Sequence, residues 1–435
     1  MVQLAIPDHP SRYPLSNELH ARPFPELDAP CRAAHLAIKE PSNAADRDRA
    51  RDVAHLIALL DRYGAPHPPP GASHYSGQVG RGFLKWEMHT EFVTYTFFAE
   101  GSAEPPFNGQ LFALFPQDWL AEAPGALVTS CLVRVESVSD ERLEEAIEGD
   151  LLRWFVPESL AVAKVVDGDA TIAADFRIDE QGHSRMAVLA RPGIGQRRLG
   201  RIVQRLLEIE TYKSMSMLTL PQARSVAGAV SRLDRELSDI VSEMASRGGQ
   251  EAETLDKLLR ISAEIGYLSS TAAFRFGAAE AYEAIVNQRI QVLREERIGG
   301  RQLFSEFMMR RYDPAMRTCR SSKARLEELA ERVERASDLL RTRVDVANQA
   351  QNVEVLKAMD RRAALQLRLQ ETVEGLSVVA ISYYAVNLAA GLLAPAAETI
   401  GLTKPGLLAA ITLPVLALVW WAIRRIKSRI EAAHH

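Results

Sequence analysis

Three titratable residues, Glu87, His89 and Glu91, alternate along one short stretch of this sequence. In an extended strand, positions two apart share a face, so two carboxylates would flank one imidazole. Such a group could hold a divalent cation or move a proton. It could equally be the wet side of a half-buried sheet, and the alternation favours that simpler interpretation. His20 lies between two charged residues at the same spacing and could converge on the same site.

A second candidate is the loop around Gly193, Gly195 and Gly200, where a predicted strand ends and a helix begins. Nucleotide-binding loops place glycines there so that backbone amides can reach a phosphate. The spacing fits neither the dinucleotide fingerprint nor the phosphate loop, so it favours a plain turn, although Arg197 and Arg198 would attract an anion. The sequence contains no G-x-S-x-G or H-E-x-x-H motif. We therefore expect no enzyme, and no cofactor other than a divalent cation.

A third candidate is a stripe of polar and small residues near the carboxyl end: Ser377, Tyr384, Asn387 and Gly391. Their spacing of seven, three and four places them on one face of a helix. The surrounding residues are apolar, and an amide or phenol in hydrocarbon needs partners, which a self-associating helix obtains from its neighbours. Packing contacts between copies are the favoured interpretation. The alternative is that the stripe lines a pore at the centre of an oligomer.

The stripe lies within the first of two uncharged stretches, residues 375–397 and 405–423. At 1.5 Å per residue, each could cross about 30 Å of hydrocarbon as a helix. Cations flank the pair but are scarce in the short link, and positive charge stays on the cytoplasmic side. The flanking cations are Arg361, Arg362, Arg368, Arg424, Arg425, Lys427 and Arg429. We expect a two-span protein of the bacterial inner membrane with both termini in the cytoplasm.

Composition limits the remaining possibilities. The 435 residues include 47% hydrophobic and 25% charged residues, which is ordinary for a soluble body with a small membrane part. A net charge of −4 and a pI near 6.3 argue against nucleic acid as a partner. Cys31, Cys131 and Cys319 are too far apart to indicate a disulfide framework or a zinc site. The first 30 residues lack the apolar core of a signal peptide.

Residues 1–195 mix strand and helix signals and predict an α+β cytoplasmic domain. Residues 83–98 give the strongest strand signal, because apolar Leu84, Trp86 and Met88 alternate with polar neighbours. Further strands are expected over residues 126–138, 160–178 and 185–191, with a hairpin turn at 179–182. Helices are expected over residues 46–63 and 140–154.

From residue 196 onward, apolar residues recur every three or four positions, as in helices. Glycine pairs at 248–249 and 299–300 interrupt the pattern, and three heptads follow over residues 326–347. We expect a long antiparallel helical or coiled-coil stalk over residues 196–372. Its last helix should run into a transmembrane hairpin at residues 373–424, which is followed by a basic tail at 425–435.

This order of a cytoplasmic body, a helical stalk and a carboxy-terminal hairpin resembles the plan of the CorA family of divalent-cation channels. In that family the first span ends in a Gly-Met-Asn triplet at the outer pore mouth. Here the corresponding stretch reads AAGLLAPA at residues 389–396, and YAVN at 384–387 lies two turns earlier. The resemblance implies a homo-oligomer in the lipid bilayer, with four or more copies and a pentamer favoured.

The chain also resembles a bacterial family of uncharacterised membrane-anchored proteins, a domain of unknown function. The strings that carry this resemblance are NELHARP at 17–23, LKWEMHTEF at 84–92 and RLLEIETYKSMSMLTLPQAR at 205–224. This family implies no activity. The expected function is therefore a CorA-like ion channel or transporter with a sensing body. The alternative is a membrane-anchored sensor or scaffold that transports nothing.

Overall fold

The structure is a computed structural model of the whole chain. It describes residues 6, 8–18, 23–42, 47–246, 251–399 and 403–432. The chain divides into two compact units, Met1–Ser337 and Asp338–His435. The first unit is a mixed α+β body and the second is helical, in agreement with the expected fold class.

A nine-stranded sheet forms the centre of the described body, in the order β2-β3-β4-β1-β5-β8-β7-β6-β9. Neighbouring strands are antiparallel, apart from the parallel pair β5 and β8. The strands are β1 Cys31–Lys39, β2 His74–Val79, β3 Gly82–Met88, β4 Phe92–Glu100, β5 Ala126–Ser137, β6 Ala161–Val165, β7 Ala170–Ile178, β8 Ser184–Ala190 and β9 Glu296–Arg297.

The predicted strand over residues 83–98 is in fact a hairpin. β3 ends at Met88, β4 begins at Phe92, and the two strands pair antiparallel. The alternation within each strand was predicted correctly, since Leu84 and Trp86 are fully buried in the core. The error was to extend the strand through residues 89–91, where the chain reverses direction.

The expected strand over residues 160–178 also divides, into the hairpin of β6 and β7. The predicted turn at residues 179–182 is confirmed, because β7 and β8 pair antiparallel around it. The amide of Gly182 donates to the carbonyl of Asp179 at 3.0 Å, and Gly182 has a φ of +90°. A left-handed backbone is cheap only for glycine, which explains its place in this turn.

One face of the sheet packs against an aromatic core and short helices. Helix α2, Arg49–Arg62, is capped by the Asp48 side chain, and Leu56, Leu59 and Leu60 on it are fully buried. The short helices α3, Gln117–Ala121, α4, Leu143–Ala146, and α5, Leu152–Trp154, cover the same face. A π-helical turn joins α4 to α5, so the predicted helix over residues 140–154 is present. The described part also contains α1, Arg12–Glu18.

Longer helices complete the body. They are α6 Gln196–Met217, α7 Leu220–Ser246, α8 Glu251–Leu293 and α9 Phe304–Arg311. Helix α6 packs against β5, β8 and α8. The predicted break at residues 299–300 lies close to the observed one, because α8 ends at Leu293 and β9 then joins the sheet edge.

Two further helices follow, α10 at Asp313–Thr399 and α11 at Lys404–Ala432. The heptad residues Leu326, Leu329, Val333, Ala336 and Leu340 are buried. By length and composition, α10 and α11 each contain a stretch apolar enough to cross a membrane, and most of that stretch is exposed. Helix α10 continues through Pro395 to Thr399, beyond the expected end of the first apolar stretch at residue 397. The coiled coil and the boundaries proposed for the stalk stay predictions.

Candidate functional site

The body contains a polar cavity of about 230 Å³ between the second face of the sheet and helices α6 and α8. Its lining includes His35, Lys85, Glu87, Glu208, Tyr212 and Arg289. Strand register explains the sheet side of this cavity. Lys85, Thr96 and His35 lie side by side on three neighbouring strands, and Glu87 lies opposite Thr94 in the next row. Mostly polar side chains therefore occupy one face of β3 and β4, while Trp86, Tyr95 and Phe97 fill the core on the other.

Helix α6 provides the opposite wall. Gln204, Leu207, Glu208, Thr211 and Tyr212 line the cavity, and their spacing of three and four residues places them on one helix face. The helix covers a row of sheet residues that the alternation alone would leave in water. Of the three residues for which a wet face was the favoured interpretation, Glu91 is fully buried, and Lys85, which shares its face with Glu87, is only 5% exposed.

His35 lies in the wall in its neutral form. Its two ring nitrogens are 2.8 Å from the Thr96 hydroxyl and 2.9 Å from the Thr211 hydroxyl. Burial, together with the nearby Lys85 ammonium, lowers the pKa of His35 to about 3. The ring therefore links β1 to β4 and α6 by hydrogen bonds, and it carries no charge at neutral pH.

The charged groups of the cavity form a connected chain. The Lys85 ammonium lies 3.2 Å from the Glu87 carboxylate and donates to the Gln204 amide oxygen at 2.7 Å. Gln204 donates in turn to Glu208 at 2.8 Å, and Arg289 of α8 donates to the same carboxylate. Two cations and two anions are balanced in one partly enclosed space.

The three residues of the predicted metal site are separated in the structure. Glu87 and His89 both line the cavity, and the His89 ring, in the β3–β4 turn, stacks on Phe92 at 4.2 Å. Glu91 is fully buried among other partners. Within the described ranges, no three His, Cys, Asp or Glu side chains lie close enough to hold a metal ion. His20, the fourth predicted ligand, lies outside the described residues.

Glu91 is instead the centre of a buried ion cluster. Arg275 of α8 donates to both of its oxygens at 2.8 and 2.7 Å, and the Tyr282 hydroxyl donates at 2.7 Å. Lys39 at the end of β1 lies 3.3 Å away. Burial raises the pKa of Glu91, but Arg275, Tyr282 and Lys39 outweigh that effect and hold the pKa below its usual value. The cluster ties the β3–β4 turn to α8.

The glycine loop forms a strand-to-helix turn. Gly193 has a φ of +85°, and Gly195 is the N-cap residue of α6. The arginines that could have attracted a phosphate are paired: Arg197 with Glu26 at 2.8 Å, and Arg198 with Asp169. A side chain at Gly200 would overlap the carbonyl oxygen of Pro25, so this glycine permits a close chain crossing.

The polar stripe on α10 lies on the exposed side of the first apolar stretch. On the other side, Ser382 is buried and Val378, Ala385 and Ala389 are partly buried; we call these four residues the covered face. The stripe residues Ser377, Tyr384, Asn387 and Gly391 are all exposed, Tyr384 by 67%. With 3.6 residues per turn, they lie roughly 140° to 220° around the helix from Ser382.

Comparison with known families matches residues 7–430 to a family described as Protein of unknown function (DUF3422). The chain belongs to the DUF3422 family. No curated protein and no solved structure matches it. The sequence-based prediction of a family without an assigned function is confirmed. The CorA-like plan remains a resemblance of element order.

In this DUF3422 chain, sequence reasoning identified two cavity residues, Glu87 and His89, but missed His35, Lys85, Glu208 and Arg289. A signal for the helix wall was present: Glu208, Thr211 and Tyr212 recur at helical spacing in the string at 205–224. No comparable signal marks His35, whose partner Thr211 is 176 positions away. Only the tertiary fold brings the two together.

Proposed function

We propose that this DUF3422 chain is a homo-oligomeric ion channel or transporter with a CorA-like plan, and that divalent cations are its candidate cargo. The body would sense a ligand in the cytoplasm, and α10 would connect that body to the pore. Two spans cannot enclose a conduit, so several copies must meet around an axis. We propose four or more copies, with a pentamer favoured by the CorA resemblance.

The observation that carries this proposal is the exposed polar stripe. A phenol and an amide on the outside of an apolar hairpin would face lipid in a single chain, where unsatisfied polar groups are costly. Asn387 donates to its own Tyr383 carbonyl at 2.9 Å, which uses one of the two N–H groups of the amide. Copies that meet through this face would satisfy the remaining groups or surround a water-filled path with them.

The end of the second apolar stretch supports the proposed orientation in a bacterial inner membrane. The Arg424 guanidinium lies 5.0 Å from the Trp420 ring, and Arg425 lies 4.9 Å from Trp421. Tryptophan favours the membrane interface, and cations favour its cytoplasmic side. Both termini would then be cytoplasmic.

The body also offers a route from a bound ligand to α10. Helix α8 contributes Arg289 to the cavity, and two turns earlier its Glu283 accepts hydrogen bonds from Arg320 near the start of α10. Lys323 of α10 pairs with Glu280 of α8 at 2.9 Å. A ligand that shifted α8 would therefore act directly on the first turns of α10.

The test combines particle mass with ion flux. The chain is purified in mild detergent, its mass is measured by light scattering, and Mg²⁺ flux is recorded after reconstitution into liposomes. We expect at least four copies per particle and flux above that of empty liposomes. In Asn387→Leu, a pore-lining role changes the flux with assembly intact, whereas a packing role breaks the oligomer. Thr412→Val, which removes a hydroxyl from the second apolar stretch, is the matched control and should change neither.

A single-chain particle in both detergent and lipid nanodiscs would refute the proposal. An intact oligomer that conducts no cation would instead support the second candidate function, a membrane-anchored sensor or scaffold. That alternative is favoured by one observation: the stripe contains no charged residue, and charge is the usual mark of an ion path in a span.

A further inference from the structure

The lysine, arginine and glutamate side chains that line the cavity balance in charge. The two cations are Lys85 and Arg289, and the two anions are Glu87 and Glu208; His35, in its neutral form, and His89 also line the cavity. A ligand with a net charge would leave one of these partly buried groups without a counter-charge, which is costly in a partly enclosed site. The charge balance favours a ligand that is itself neutral overall.

The charged groups also have hydrogen-bond donors and acceptors left for a ligand. A lysine ammonium has three donors, and two are directed to Gln204 and Glu87. Glu87 can accept several hydrogen bonds, and its contact with Lys85 uses one of its oxygens. At the opposite wall, a guanidinium has five N–H donors, and Arg289 directs one at Glu208 and one at Gln288. Both signs of charge are therefore available to a ligand.

Volume limits the ligand further. A cavity of about 230 Å³ holds roughly seven or eight waters at about 30 Å³ each. Sites for drug-sized ligands usually span about 300–1,000 Å³, so a nucleotide would not fit. The threonine hydroxyls at Thr94 and Thr96 can bond a small polar molecule, and Phe98 and Leu207 offer a limited apolar surface.

We propose that this cavity binds a free α-amino acid in its zwitterionic form. The ligand carboxylate would pair with Lys85 or Arg289, and its ammonium with Glu87 or Glu208. Each charge of the ligand would thus face an opposite charge in the wall of the cavity, and no charge would be left unpaired. Because the site spans the sheet, α6 and α8, the ligand would tighten the packing of those elements.

This proposal deepens the sensing role given to the body and rests on it, but its test needs no ion flux. Failure of the liposome experiment therefore leaves the binding test interpretable, and absence of binding leaves the channel proposal standing. The full chain in detergent is titrated calorimetrically with each of the twenty proteinogenic α-amino acids. We expect at least one to bind with a Kd below 1 mM, a threshold near −4.1 kcal/mol.

Analogues of the best amino acid then test the charge pattern on the unmodified protein. The amine that lacks the carboxylate and the acid that lacks the amine should each bind at least tenfold more weakly. Glycerol serves as the neutral polyol and should not bind. The analogue series requires no variant, so it remains decisive even if a cavity substitution disturbs folding.

Substitution provides the second test. Glu87→Gln removes one anion from the wall and should weaken amino-acid binding at least tenfold. Arg62→Gln changes a surface ion pair with Asp118 in the same body and should leave the affinity unchanged. The proposal is wrong if no amino acid binds, if either analogue binds as tightly as the zwitterion, or if Glu87→Gln retains full affinity.

Discussion

The buried carboxylate Glu91 permits a sharp prediction about the stability of the body. Glu91→Gln keeps the shape of the side chain but removes its charge, which leaves Arg275 and Lys39 in the interior without their counter-ion. Removing one partner of a buried pair typically costs about 3–5 kcal/mol. Glu91 is fully buried and accepts three hydrogen bonds from Arg275 and Tyr282, so we expect a loss within that range.

The assay is thermal unfolding of the full chain in detergent, followed by intrinsic fluorescence. About 2–4 °C is lost per kcal/mol in domains of 150–250 residues, so the midpoint should fall by roughly 6 °C or more. Asp118→Asn is the control, because Asp118 forms an exposed pair with Arg62 that water screens. The double variant Glu91→Gln with Arg275→Met should recover part of the loss, since it also removes the larger uncompensated charge.

The pH dependence provides an independent check on the same residue. The folded pKa of Glu91 is held below its usual value, so its contribution is complete above the unfolded pKa of about 4.3. That contribution is lost as the pH falls through the folded pKa. The difference between the original protein and Glu91→Gln should therefore shrink below about pH 4. If Glu91→Gln lowers the midpoint no more than Asp118→Asn does, the reasoning from burial is refuted.

Two further outcomes are expected. The folded pKa of His35 is lowered to about 3, so between about pH 6.5 and 3 the unfolded chain binds one proton more than the folded chain. In this range the free energy of unfolding should fall with decreasing pH, and His35→Gln should reduce that slope by about 1.4 kcal/mol per pH unit. An unchanged pH profile in chemical unfolding would contradict this. Gly200→Ala should destabilise by about 1–3 kcal/mol because its methyl group meets the Pro25 carbonyl. Gly266→Ala, in open space within α8, should instead stabilise by about 0.5–1 kcal/mol, and equal effects of the two substitutions would contradict the packing argument.

The helical half and the apolar hairpin were readable from the sequence because their signals are local. A helix places residues three and four apart on one face, so the buried series from Leu326 to Leu340 was visible as a spacing. Uncharged stretches of the required length identify the two apolar helices in the same way. Strand alternation likewise predicted the burial of Leu84 and Trp86.

The candidate site depended on contacts that no local pattern encodes. Alternation shows which residues of β3 share a face, but it does not show whether water or a helix covers that face. Helix α6 covers it, and Lys85 is buried there with its ammonium group bonded to Gln204. The reversal of the chain at residues 89–91 likewise separated Glu87 from Glu91.

By itself, the sequence determined that this chain has an α+β body, a helical second half and two apolar helices near its carboxyl end. The tertiary structure alone decided which polar residues act together. Glu91 and Arg275 are 184 positions apart, and they meet because the burial of a charge is tolerable only beside its counter-charge. Short-range periodicity reports the shape of one element, whereas a binding site is assembled from several elements at once.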